Sequence, residues 1–295
     1  MRRFLSFLVI VGIIGAGVAW FVTAPDGLEE SDIAGITGDA ARGEQTFWAA
    51  GCVSCHMMPD TQGTEDELLA GGMRFPSAFG TFIAPNISPS AEGIGDWSLL
   101  EFASAVQRGV GRGGEHLYPA FPWNAYNKAS LQDIADIKAY IDTLPPNATP
   151  SQPHEVGFPF NIRRSLGGWK FLFENRDWVI TGDLTEAETR GRYLSEAMAH
   201  CAECHTPRNA LGGLDTSRWL GGAPNPDGKG RTPNITPAGL DWSEEEIVEY
   251  LTSGFTPDYD SAGGHMAYVV SNMAKLPEED RAAIAAYLKK VPPVE

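Results

Sequence analysis

The pentapeptide Cys52-Val53-Ser54-Cys55-His56 recurs 149 residues further on as Cys201-Ala202-Glu203-Cys204-His205, and the two copies use all four cysteines of the chain. On a helix, cysteines three apart share one face, so both sulfurs can form thioethers to one tetrapyrrole while the adjacent histidine turns its imidazole to the iron. The pattern therefore predicts two covalently bound haem c groups, held by Cys52 and Cys55 and by Cys201 and Cys204, with His56 and His205 as proximal iron ligands. A redox dithiol needs no histidine at that place, and a zinc site shared between the pairs leaves the Cys-His adjacency unexplained.

The repeat extends beyond the motif. Arg42-Gly43 stands ten residues before Cys52, and Arg190-Gly191 stands eleven before Cys201. Pro85-Asn86-Ile87-Ser88-Pro89 is echoed by Pro233-Asn234-Ile235-Thr236-Pro237, and Asp96-Trp97-Ser98 by Asp241-Trp242-Ser243, so matching blocks lie 145 to 149 residues apart. Asn86 and Asn234 sit in glycosylation-type triplets, but a loop-structuring role suits a bacterial periplasmic chain better.

Ser98 with Glu101, and Ser243 with Glu246, are capping boxes that predict helix starts, and Gly109 and Gly254 are the stops. Apolar residues at helical spacing predict a last helix in each half, through Ile134, Ile137, Tyr140 and Ile141, and through Ile284, Tyr287 and Leu288. Gly43 and Gly191 fall inside the predicted first helices, where glycine costs about 1 kcal/mol relative to alanine. A close crossing of first and last helices, with Tyr140 or Tyr287 over the glycine, would offset that cost. Such a crossing is the skeleton of small cytochrome c domains.

The expected chain is mainly α: two tandem class I cytochrome c-like domains with long loops, plus one N-terminal transmembrane helix. Residues 1–26 form the anchor, 35–145 the first domain, 146–184 an ordered aromatic and proline-rich linker, and 185–295 the second domain. The linker carries Phe158, Phe160, Trp169, Phe171, Phe173 and Trp178, rings expected to be buried across both domains.

Phe4 to Val22 is an uncharged apolar run of nineteen residues, preceded by Arg2 and Arg3, which predicts a single-pass helix with a cytoplasmic N-terminus and periplasmic haem domains at the bacterial inner membrane. A cleaved leader is the competing reading. Val22-Thr23-Ala24 offers a small residue for such a cut, but Pro25 would follow it. The net charge is −16, and beyond the two arginines 20 basic residues face 38 acidic ones. That field repels nucleic acid and anionic headgroups, and it would steer a basic patch of another redox protein. Solubility alone is an equally simple reason for it.

His200-Cys201 running into Cys204-His205-Thr206-Pro207-Arg208-Asn209, the two Asn-Ile-Ser/Thr-Pro blocks, the Asp-Trp-Ser helix starts and Tyr118-Pro119-Ala120 carry a resemblance over most of residues 40 to 293. The chain resembles the cytochrome c subunits of membrane-bound periplasmic dehydrogenases of the alcohol, gluconate and fructose type. Well-known members have three haem domains, whereas this chain has two. The resemblance implies an electron carrier between a periplasmic dehydrogenase, or another redox protein, and the respiratory chain. It implies no catalytic activity of the chain's own and no particular substrate.

For the second haem, Met266, 61 residues after His205 and shortly before the last helix, is the expected distal ligand, with Met273 as fallback. The first half departs from the family. Where members read Tyr-Pro-Ala-Met, or carry a methionine several residues later, this chain has Phe121 and Ala129. His116, 60 residues after His56 and matching Met266 in offset, leads among the remaining distal candidates, with Met73 and Lys128 as alternatives. His116 also lines up with His265, which points to a shared loop role instead. The missing methionine motivates a second reading, a diheme enzyme of peroxidase or thiosulfate dehydrogenase type.

Overall fold

Helix α1 (Arg2–Val22) is the apolar run; none of its residues is buried, and by length and composition it can cross a membrane. The computed structural model describes residues 1–59 and 69–295. The first half starts with α2 (Ala40–Ala50), capped by the Asp39 carboxylate, which accepts from the N–H groups of Ala41 and Arg42, and continues into the short α3 (Cys52–His56). An antiparallel hairpin follows, β1 (Arg74–Ser77) with β2 (Gly80–Ile83), pairing Arg74 with Ile83 and Ser77 with Gly80. Helices α4 (Leu99–Arg108), α5 (Trp123–Tyr126) and α6 (Leu131–Ile141) complete this half, and α7 (Ser165–Phe173) lies in the connection.

The second half repeats the plan. It runs through α8 (Glu186–Arg192), α9 (Ala202–His205), the small hairpin β3 (Ala223–Pro224) and β4 (Arg231–Thr232), α10 (Glu244–Ser253), α11 (His265–Met273) and α12 (Glu278–Lys290). Both serine capping boxes form, and α4 and α10 stop at Gly109 and Gly254, each in the left-handed region at φ 57° and 80°.

The helix crossings explain the two Arg-Gly pairs. A Cβ on Gly43 would lie 1.9 Å from the Asp136 carbonyl oxygen of α6, and one on Gly191 would lie 1.8 Å from that of Ala283 in α12. Backbone meets backbone there, with Tyr140 and Tyr287 against the glycines. The arginines lock the same crossings by forked ion pairs: Arg42 to Asp136 at 2.9 and 3.0 Å, and Arg190 to Asp280 at 2.7 and 2.8 Å, both aspartates being buried.

The extra residue between Arg190 and Cys201 also has a structural outcome. After Arg192 the helix widens into a π-helical segment, Tyr193–Met198, which absorbs one residue without turning the crossing away from α12. His200 then holds a left-handed φ of 41° where the first half has Gly51 at 66°.

The linker departs from expectation. Trp169 donates its Nε1–H to the Leu211 carbonyl at 2.9 Å, and Asn124 donates to the Phe173 carbonyl at 3.2 Å, so the segment does pack on both halves. Its rings are nonetheless not all buried: Phe158 and Phe171 are 81% and 74% exposed, and Ile162 and Leu172 are exposed beside them. The linker is built against the end of α1. Arg164 donates to the Trp20 carbonyl and to Thr23 Oγ1 and lies 4.2 Å over the Trp20 ring, while His116 Nε2–H donates to the Thr23 carbonyl at 3.0 Å. Phe171 lies with Val22 and Ala24 where the chain leaves its apolar helix.

Candidate haem sites

Each Cys-x-x-Cys-His motif forms a single short turn of helix with its histidine at the end, in α3 for Cys52, Cys55 and His56 and at α9 for Cys201, Cys204 and His205. The imidazoles are aimed in the same way. His56 Nδ1–H donates to the Pro85 carbonyl at 2.8 Å, and His205 Nδ1–H donates to the Pro233 carbonyl at 2.8 Å, which leaves Nε2 of each as the nitrogen that could hold a metal. The peptide carbonyls of the two histidines are tied as well, accepting from Gly71 N–H at 2.6 Å and from Gly222 N–H at 2.7 Å. Burial holds both imidazoles below the usual histidine range, which keeps them neutral, as an iron ligand must be.

The repeated Pro-Asn-Ile blocks thus supply the proline carbonyls that orient the ligands. Their asparagines build the loops, as the spacing implied. Asn86 Oδ1 accepts from Ser88 N–H at 2.8 Å while its amide donates to the carbonyls of Asn147 and Thr149, and Asn234 Oδ1 accepts from Thr236 N–H at 2.8 Å. The prolines' role is not evident from the sequence; the available signal is that they recur at nearly the same distance behind each motif, 29 residues after His56 and 28 after His205.

The four cysteines are unpaired. Burial pushes the thiols of Cys52 and Cys201 up to about 12, and burial together with the neighbouring Cys204 does the same to Cys55. Such thiols are poor nucleophiles in the protein as it stands, which does not suit a reactive dithiol. Two sulfurs on one face, an oriented neutral imidazole and an apolar surround fit haem c at both motifs.

The motif helices face each other across the junction of the halves. Asn272 of α11 donates to Ser54 Oγ at 2.7 Å, His265 Nε2 lies 4.0 Å from Cys55 Sγ, and Cys55 and Cys204 are electrostatic neighbours. In the opposite sense, Tyr126 of α5 donates to the Ala50 carbonyl at 2.6 Å and its ring meets His200 edge-on at 5.4 Å. Gln45 reaches Asp280 at 2.6 Å. None of these contacts could be read from the sequence, because each joins residues more than 70 positions apart.

The distal candidates are dispersed. Met266 lies on α11, half-buried against the core, and Met273 on the same helix is buried. His116 sits at the anchor junction, its Nε2–H on Thr23, its carbonyl accepting from Arg163 and its Nδ1 buried without a hydrogen-bond partner among the described residues. Met73 stands just before β1, its carbonyl accepting at 2.9 Å from the N–H of Ala84, the residue before Pro85. Lys128 donates to the carbonyls of Asn124 and Asn175 and lines a small cavity with Glu196, His200 and Glu203.

The register of the two distal loops corrects the matching of His116 with Met266. After the helix-stop glycines, Val110 bridges His116 as Phe255 bridges Ser261, and Leu117 N–H to the Gly109 carbonyl repeats as Ala262 N–H to the Gly254 carbonyl. The counterpart of His116 is therefore Ser261; counting five residues on, the first half has Phe121, two residues before α5, and the second has Met266, at the start of α11. Counting from the haem motif goes astray because the two halves differ in length between motif and distal loop.

The family model described as "Cytochrome c" matches residues 40–145 and again 189–292. A "Diheme cytochrome c-type" protein of Cereibacter sphaeroides is 54% identical over 297 residues, covering all of both chains. The fructose dehydrogenase cytochrome subunit of Gluconobacter japonicus is 38% identical over 85% of this chain and 52% of its own length. The gluconate 2-dehydrogenase cytochrome c subunit of Pantoea cypripedii is 31% identical over 85% of this chain and 59% of its own. Against these two, the chain spans somewhat over half the relative's length.

Proposed function

Because this chain belongs to the cytochrome c family, with one family match around each Cys-x-x-Cys-His motif, we propose that it is a membrane-anchored diheme carrier taking electrons from a periplasmic dehydrogenase to the respiratory chain. The observation that carries this is the seating of the first motif helix on α11 of the second half, with Asn272 on Ser54 and His265 at 4.0 Å from Cys55 Sγ. Haem c, when bound, supplies a reversible one-electron centre. The protein's part is to hold the two proximal imidazoles rigidly through Pro85 and Pro233 and to bring the cysteine-bearing edges together across a packed junction. Relatives named as cytochrome subunits of fructose and gluconate dehydrogenases support a dehydrogenase as donor.

We assign Met266 as distal ligand of the second haem, since it stands twelve residues after the helix-stop Gly254, at the start of α11 and before the last helix. No methionine occurs between Met73 and Met198, so the first haem lacks such a ligand in its distal loop. A thioether ligand raises the potential, so the first haem is the lower of the two, and electrons enter there and leave from the second. A redox titration followed by electron paramagnetic resonance should resolve two waves, and Met266→Ala should shift only the upper one. Superposed waves, or a shift of the lower wave, would sink this order. The absent methionine also favours the second reading, a peroxidase or thiosulfate dehydrogenase. Turnover of peroxide or thiosulfate by the purified protein would select it; a carrier shows none.

The anchor reading is supported by the fold itself, since Arg164, His116 and the backbone at Gly167 all close on Trp20 and Thr23, which a cut after Ala24 would remove. With α1 in the bilayer, the exposed side chains Phe158, Ile162, Phe171 and Leu172 sit at its periplasmic interface, in a stretch from Val156 to Phe173 without any acidic residue. In vesicles containing a lipid with a carbene-generating acyl chain, photolabel should appear on α1 and on the 158–172 peptide, and not on the 90% exposed Tyr259. Label on α1 alone would leave the anchor and remove the interfacial seat; loss of residues 1–24 by intact mass would remove both.

A further inference from the structure

We infer that the iron of the first haem has no protein side chain as sixth ligand and takes a small exogenous π-acceptor ligand such as carbon monoxide on the face covered by Phe121. The inference rests on the haem-binding reading of the first motif and goes beyond the carrier function. Phe121 stands twelve residues after the helix-stop Gly109, and Met266 stands twelve after Gly254; the bridge and the following N–H to carbonyl bond are the same in both loops. Both side chains are half-buried and pack on the core, so the two occupy one place in a duplicated fold. A phenyl ring there offers shape and no lone pair.

The other donors are committed elsewhere. His116 is at the anchor junction with its Nε2–H on the Thr23 carbonyl, and Lys128 spans the carbonyls of Asn124 and Asn175. Met73 stands just before β1, its carbonyl accepting from Ala84 N–H and its side chain packed on the core. His154 Nδ1 accepts from Ile83 N–H of β2 at 3.1 Å. Tyr118 and Tyr126 donate to the carbonyls of Phe160 and Ala50. The first haem is then held from one side only, with Phe121 as a displaceable cover, while the second is closed by sulfur.

The test uses full-length protein with both haems attached. Pyridine haemochrome should count two haems per chain; a count of one removes the haem reading of a motif and is distinguishable from failure of this inference. With two present, the ferric protein should show a high-spin resonance from half of the iron, and the ferrous protein should bind one carbon monoxide per two haems. Phe121→Met should abolish both and Met266→Phe should double them, whereas His116→Ala should leave them unchanged. Two low-spin signals without carbon monoxide uptake in the natural chain would overturn the inference, as would conversion of a low-spin haem to high spin by His116→Ala. Should Phe121→Met fail to assemble, the natural stoichiometry and Met266→Phe still decide.

Discussion

Gly191→Ala is expected to cost about 3 kcal/mol and to strip the second haem from most of the protein. The new methyl carbon would stand 1.8 Å from the Ala283 carbonyl oxygen and 2.7 Å from Tyr287 Cβ, and the closest atom is backbone, which no rotamer change can move aside. Helix α8 would have to draw back from α12, opening the Arg190 to Asp280 fork and loosening the π-helical segment that leads into Cys201. Gly43→Ala should act likewise on the first half, where the corresponding distance is 1.9 Å. The ordinary helix-propensity gain of alanine over glycine, about 1 kcal/mol, works in the opposite direction and is outweighed. Urea midpoints and haem-to-protein ratios measure the outcome, and a variant as stable as the natural chain would show that the crossings are looser than described.

These glycines also show which parts of the molecule were legible beforehand. Gly43 and Gly191 were anomalous inside helices, and an anomaly repeated at the same place in both halves has a shared steric cause. The capping boxes at Ser98 and Ser243 were legible because their hydrogen bonds close within three residues. What the sequence hid was set by distance or by counting. The linker aromatics were expected to be buried because rings usually are, yet Phe158 and Phe171 lie on the surface of this chain. His116 was matched to Met266 by its offset from the haem motif, and an offset spans every insertion between; counting from the nearest fixed point, the helix-stop glycine, gives Phe121. The contact of Cys55 with His265 is 210 residues long and left no local trace.

Glu196→Ala should be nearly as damaging as the glycine substitutions, at roughly 3 kcal/mol, although no motif singles this residue out. Its side chain is within a residue that is only 1% exposed, in the π-helical segment five residues before Cys201. The carboxylate accepts from Val179 N–H at 2.8 Å, from Ile180 N–H at 3.0 Å and from the Tyr287 hydroxyl at 2.8 Å, and Trp219 Nε1–H donates to that hydroxyl at 3.1 Å. One side chain thus joins the linker, the π-helical segment and α12 beside the second haem motif. Alanine leaves three buried donors without an acceptor, and the cost is set by their desolvation. Burial and the facing Glu196 push the Tyr287 hydroxyl far above its usual range, so it stays protonated at every working pH and its O–H needs an acceptor where Glu196 stands. Glu196→Gln keeps the shape but turns an NH2 toward one of those donors, so it should recover only part of the loss. Full recovery in Glu196→Gln, measured by urea unfolding and by retention of the second haem, would mean that the charge and the third bond contribute nothing. Partial recovery fixes the network as the clamp that ties the linker to the second domain.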